Sequence, residues 1–99
     1  MYIVVNTFYA LPGKQPELIG VLRELSALGK KVNRAEIIIL TPLAGKLSEV
    51  KARWQVESLS QHEENTKKVQ AHSEFPALFQ KVAALVVPNA SHTDIYRQV

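Results

Sequence analysis

The stretch Glu49–Glu57 alternates apolar and polar side chains without a break, with Val50, Ala52, Trp54 and Val56 set against Lys51, Arg53, Gln55 and Glu57. Successive side chains of a strand point to opposite faces of a sheet, so this period of two predicts a strand with one face on a core. Trp54 continues the apolar set and reads as part of that core. Tyr2–Tyr9, rich in β-branched and aromatic residues, predicts another strand. There Ile3, Val5, Thr7 and Tyr9 share one face, and Tyr2, Val4, Asn6 and Phe8 share the other. Both faces are largely apolar, which suits a central position. Ala35–Thr41, with its run Ile37-Ile38-Ile39-Leu40, predicts a strand of the same kind, and His92–Arg97 a short final one.

Helical spacing appears in two regions. Leu18, Val21, Leu22, Leu25 and Leu28 recur at three and four residues and predict an amphipathic helix over Pro16–Leu28. Pro16 suits its first turn, Gly29 suits a left-handed position after its end, and Lys30-Lys31 face the negative end of its dipole. The second region, Ser58–Ala84, predicts one interrupted helix or two. Ser58 or Ser60, followed three residues later by Gln61 or Glu63, resembles a capping box. Ser73-Glu74-Phe75-Pro76 looks like a fresh start ahead of the apolar stripe Phe75, Leu78, Phe79 and Val82.

The link from Thr41 to Glu49 is too short for a parallel crossover, so the two strands it joins form an antiparallel hairpin. The order is therefore β-α-β-β-α-β. This is an α+β, ferredoxin-like arrangement, a four-stranded antiparallel sheet with the helices on one face, and it fits one domain over residues 1–99. Helices can cover only one sheet face, yet Val4 and Phe8 oppose Ile3 and Val5, and Ile38 and Leu40 oppose Ile37 and Ile39. Burial of one such side chain is worth roughly 1.5–3 kcal/mol. The simplest cover for the second face is the same face of a second copy, so the pattern predicts a homodimer and a dimeric α/β barrel.

Composition narrows the partners. The net charge is +3, and the basic residues are scattered apart from Lys30-Lys31 and Lys67-Lys68, which argues against nucleic acid as a partner. With no cysteine, the chain has no disulfide framework, thiolate nucleophile or cysteine-based metal site. The N-terminus lacks the basic region of a signal peptide, and no apolar run approaches the roughly 20 residues that span a bilayer. A cytoplasmic setting is expected. Asn89-Ala90-Ser91 matches a glycosylation acceptor only by chance on that view.

Trp54-Gln55-Val56-Glu57-Ser58-Leu59 resembles the W-x-x-D-S-L stretch of NIPSNAP-like proteins, with Glu in place of Asp. Ser73-Glu74-Phe75 is similar to their D-P-x-F/W segment. Leu85-Val86-Val87-Pro88 and Ser91-His92-Thr93 resemble their closing loop and strand, and the opening strand with Pro12-Gly13-Lys14 also fits. The resemblance covers nearly the whole chain. It implies the dimeric α/β-barrel superfamily, which also holds the antibiotic-biosynthesis monooxygenases, but it implies no activity, because NIPSNAP-like proteins as a group share no agreed one.

The candidate chemistry is a set of polar groups expected on the face away from the helices. These are Asn6, flanked by Phe8, then Arg53 and Gln55, and finally His92, Asp94 and Tyr96. Asn6, Phe8, Arg53, Gln55 and Tyr96 are candidate ligand-binding residues. His92, Asp94 and Arg53 are candidate catalytic ones, with a His92–Asp94 hydrogen bond for proton transfer and the Arg53 fork for a carboxylate or enolate. A solvated or interface face of ion pairs is the competing reading of Lys51, Arg53 and Glu57. An Asn stands at a place similar to Asn6 in the haem-degrading branch of the superfamily. Val69 and Phe79 stand where that branch has a Trp and a haem-ligating His, so haem degradation is not expected. Neither a metal nor another cofactor is expected: His62 and His72 are too far apart for a helical metal pair, and no H-E-x-x-H, G-x-S-x-G or phosphate loop occurs. Two functions fit. One is a small dimeric barrel of unassigned activity that binds a small, partly apolar ligand in the barrel. The alternative is a cofactor-independent monooxygenase or isomerase acting on an aromatic or enolisable substrate.

Overall fold

In the computed structural model, which covers all 99 residues, the chain runs β1 (Tyr2–Tyr9), α1 (Gln15–Lys31), β2 (Ile38–Leu40), β3 (Glu49–Val56), α2 (Leu59–Ala71), α3 (Phe75–Leu85) and β4 (His92–Arg97). The strands form one antiparallel sheet in the order β2-β3-β1-β4. The ferredoxin-like arrangement expected from the pattern is therefore the one observed, with the second helical region divided in two. No helix is long and apolar enough to cross a membrane.

Register fixes the faces. Val4 lies opposite Trp54 on one side and Ile95 on the other, and Asn6 opposite Ala52 and Thr93. Directly opposed residues project to the same side of a sheet. Val4, Asn6 and Phe8 therefore share the inner, helix-covered face with Val50, Ala52, Trp54 and Val56. Leu18, Leu22 and Leu28 of α1, Val69 of α2, and Leu78, Val82 and Leu85 of α3 pack with Val50 in the larger core cluster. Val4, Ile37, Ala52, Trp54 and Val56 form a second. The outer face carries Ile3, Val5 and Thr7 beside Lys51, Arg53 and Gln55. On it Ile38, Leu40 and Tyr96 are exposed, at 51%, 44% and 55%, as a sheet covered on one side requires.

Two local expectations change, and one open alternative is decided. The strand expected over Ala35–Thr41 is only Ile38–Leu40, because the Ile37 N–H donates to Ser26 Oγ at 3.0 Å instead of to a neighbouring strand. Gly29 does not end α1: the helix runs on to Lys31, and the left-handed residue after it is Asn33, at φ 63°. Gly29 instead packs against the Arg34 guanidinium. Of the two possible caps for the second helical region, Ser58 is the one used. Its side chain accepts from the Gln61 N–H at 3.0 Å, while Gln61 Oε1 accepts from the Glu57 N–H at 2.8 Å. The helix stops at His72, whose backbone is extended, and α3 restarts so that Pro76 falls in its first turn, where the missing N–H costs nothing.

Candidate functional site

Between the inner sheet face and the helices lies a cleft of about 410 Å³. Asn6 and Phe8 contribute from β1, Trp54 from β3, His62, Thr66 and Val69 from α2, Phe75 and Phe79 from α3, and Thr93 from β4. Each arrives for a structural reason. The alternation of β3 turns Trp54 inward, where it is only 6% exposed. The Ser58 cap sets the phase of α2, so that His62, Thr66 and Val69, spaced by four and three residues, line one side. Phe75 and Phe79, four residues apart on α3, stack with ring centres 5.7 Å apart and form an aromatic wall.

The polar groups of the cleft fall into two sets, Asn6 with Thr93 and Arg34 with Trp54 and His62. Asn6, an amide on the inner face, satisfies its carbonyl by accepting from the Thr93 hydroxyl at 2.7 Å. The Arg34 guanidinium lies over the Trp54 ring, with Cζ 4.9 Å from its centre, and the His62 ring is centred 6.2 Å from the same indole. Arg34 Nη2 donates to the Leu25 carbonyl at 3.0 Å. Arg34 Nε, Trp54 Nε1 and His62 Nδ1 are buried with no hydrogen-bond partner. Buried polar atoms are nearly always paired, so these three give residues around the cleft hydrogen-bonding capacity that the chain does not use. Burial also lowers the pKa of the Arg34 guanidinium; an arginine nonetheless stays charged.

The candidates named from the sequence do not lie on one face. Asn6 and Phe8 are on the inner face. Arg53, Gln55, His92, Asp94 and Tyr96 project to the outer one, where they oppose Val5, Ile3 and Thr7. The expectation of one shared chamber face is therefore corrected: the register pairs Asn6 with Ala52, not with a polar residue of β3. The structure does bring His92 and Asp94 together, with Nε2 and Oδ2 3.5 Å apart, at an exposed strand end. Although His92 belongs to the outer set by alternation, it also borders the mouth of the cleft. Arg53 has a buried, unpaired Nε. No group of three or more His, Cys, Asp or Glu side chains converges in metal-holding geometry.

Arg34, His62 and Thr66 were not legible as site residues. Arg34 lies in the α1–β2 connection, outside any periodic segment, and His62 and Thr66 sit in a helix whose polar composition reads as solvated. One usable signal was the spacing His62, Thr66, Val69, which puts a histidine, a hydroxyl and the helix's buried valine on one face.

Compared by sequence, the chain matches no family model and no curated protein. Its structure is similar to that of an uncharacterised NIPSNAP domain protein from Burkholderia xenovorans, with a TM-score of 0.82 and 17% identity over 100% of this chain and 95% of that one. A NIPSNAP family protein of unknown function from Agrobacterium tumefaciens aligns with a TM-score of 0.81 and 18% identity, over 97% and 86% of the two chains. A putative antibiotic biosynthesis monooxygenase from Nitrosomonas europaea aligns with a TM-score of 0.75 and 10% identity, over 100% and 99%. The chain thus has the ferredoxin-like α+β fold shared by NIPSNAP family proteins and antibiotic biosynthesis monooxygenases, a fold that by itself assigns no activity.

Proposed function

We propose that this protein binds a small, partly apolar molecule in the cleft between the inner sheet face and helices α2 and α3, and does so as a homodimer packed through the outer sheet face. One observation carries the reading: an aromatic-walled cleft of about 410 Å³ is bordered by buried polar atoms that nothing in the chain satisfies. Its volume falls among those of small-molecule pockets, roughly 300–1,000 Å³. This moves the ligand from the barrel interior, between two sheets, to the helix side of each sheet. The dimer rests on the exposed Ile38, Leu40 and Tyr96 with the half-buried Ile3 and Val5 beside them, an apolar surface that a second copy covers. A cytoplasmic setting agrees with the cysteine-free composition.

A thermal-shift screen of aromatic and short-acyl compounds tests the site. Compounds that bind the native state raise the unfolding midpoint by mass action. Hits should stabilise the wild type and lose that effect in Thr66→Phe, which fills the cleft from a half-buried position. Hits that stabilise both proteins equally would place binding elsewhere.

The second reading, a cofactor-independent oxygenase or isomerase, is favoured by the cleft's aromatic wall beside Arg34 and Asn6, and by the structural likeness to an antibiotic biosynthesis monooxygenase. In this reading Arg34 and the Asn6 amide would steady an enolate, and His62 would move a proton. Incubation with aromatic quinols under oxygen decides it: turnover no greater than that of an Asn6→Ala, His62→Ala double variant removes the reading for that substrate class.

A further inference from the structure

We infer that the cleft selects an anion, a monocarboxylate carried on an aromatic or short apolar body, with Arg34 as the residue that recognises the charge. The inference rests on the ligand reading of the cleft given above and adds the substrate class.

The charge inventory of the lining is one-sided. Its one fixed charge is the Arg34 guanidinium; no aspartate or glutamate lines the cleft, and Asp94 near its edge is already paired with His92 at 3.5 Å. None of the ion pairs within the chain involves Arg34, so no carboxylate neutralises it. Of its three nitrogens, Nη2 gives one of its two N–H groups to a helix carbonyl and Nε is buried and unpaired, while Nη1 is neither buried nor bonded within the chain. A half-buried cation without a counter-charge is unfavourable unless something supplies one.

The hydrogen-bonding inventory points the same way. The Asn6 carbonyl already accepts from Thr93, while its two N–H donors have no partner within the chain. Trp54 Nε1 can only donate, and it has no acceptor. The Asn6 N–H groups, the Trp54 indole and the Arg34 guanidinium thus put unengaged donors on the polar side of the cleft, beside hydroxyls that can serve either way. Phe75 and Phe79 offer a stacked aromatic wall to the rest of the ligand.

The guanidinium is also held in place, as recognition requires. It lies flat against Gly29, where an added Cβ would come within 2.6 Å of Arg34 Cζ, and it spans from there to the indole of Trp54. Glycine in a helix interior carries a cost in stability. Here it leaves room for the guanidinium, and that room explains a glycine the helix itself does not need.

Calorimetric titration of the wild type with 3-phenylpropanoate and with its neutral isostere 3-phenylpropanamide tests the inference. The carboxylate should bind at least about tenfold more tightly, the difference expected of a charge-assisted contact. In Arg34→Gln that preference should fall to about twofold or less, through loss of carboxylate affinity with the amide unchanged. Arg34→Lys, which keeps the charge but not the fork, should fall between the two. If Arg34→Gln does not fold, Gly29→Ala reads the same property, because its methyl displaces the guanidinium. Equal binding of acid and amide to the wild type, or a preference that survives Arg34→Gln, overturns the inference and leaves the cleft reading standing. Failure of both compounds to bind at millimolar concentration overturns the cleft reading and the inference together.

Discussion

The Arg34 guanidinium and the Trp54 indole are stacked, with Cζ 4.9 Å from the ring centre, although one residue lies in a loop and the other in the middle of a sheet. Gly29 makes the stack possible from the opposite side. Gly29→Ala should therefore separate stability from binding. Alanine favours the helix, and the displaced guanidinium gives up its stack but regains water, so stability should not fall and should rise by no more than about 1 kcal/mol. Affinity for 3-phenylpropanoate should fall about tenfold. Denaturant unfolding and calorimetry on the same sample check both.

Arg34 itself should be a liability to the fold. Burial lowers its pKa, which means that folding disfavours the charged form. For a base whose pKa is lowered on folding, that penalty is present throughout the pH range in which the group is charged and is relieved only as pH rises past its folded pKa. Around neutrality Arg34 is charged, so the penalty is in force. Arg34→Met keeps the apolar stem and removes the charge. It should unfold at the same or a higher temperature than the wild type while losing carboxylate binding, a trade of the kind seen at binding sites. A midpoint several degrees lower would show that the stack and the Leu25 hydrogen bond outweigh the buried charge.

Ser58 starts α2 and so sets the direction in which His62 and Thr66 point. Loss of its hydroxyl in Ser58→Ala removes the bond to the Gln61 N–H and should cost about 1 kcal/mol by denaturant titration. Ser58→Asp, which keeps an acceptor at the N-terminus of the helix dipole, should restore it.

The outer sheet face gives a separate expectation. Sedimentation of the wild type should report a particle about twice the 11.1 kDa chain mass. Ile38→Glu with Leu40→Glu puts two charges on an exposed edge strand of that face and should give a folded monomer. A wild type that sediments as a monomer at micromolar concentration would refute the packed outer face.

Much of this molecule is legible in its sequence. The alternation through Val50, Ala52, Trp54 and Val56 marks β3 and names its core residues, all four of them buried. The five-residue leucine and valine stripe marks α1, and the β-α-β-β-α-β order gives the sheet. What alternation cannot supply is relative parity. It separates Asn6 from Val5, and Arg53 from Trp54, but it does not say whether Asn6 shares a face with Arg53 or with Trp54. That choice belongs to the β1–β3 register, which pairs Val4 with Trp54. A polar amide in an apolar strand suggests the less buried face. The opposite holds here because the cleft leaves the inner face open at Asn6 and the Thr93 hydroxyl supplies a partner. Arg34 escaped for another reason: it acts from a connection, where no period marks which side chains turn inward.

The most direct test is an amide and indole ¹H–¹⁵N spectrum of the wild type titrated with 3-phenylpropanoate. Trp54 is the sole tryptophan, so its indole N–H gives one unambiguous signal. That signal should shift together with the amides of His62, Thr66 and Val69, while those of Val5, Arg53 and Gln55 on the outer face stay in place. Shifts confined to the outer-face residues, with the Trp54 indole unmoved, would contradict a ligand site on the helix side of the sheet.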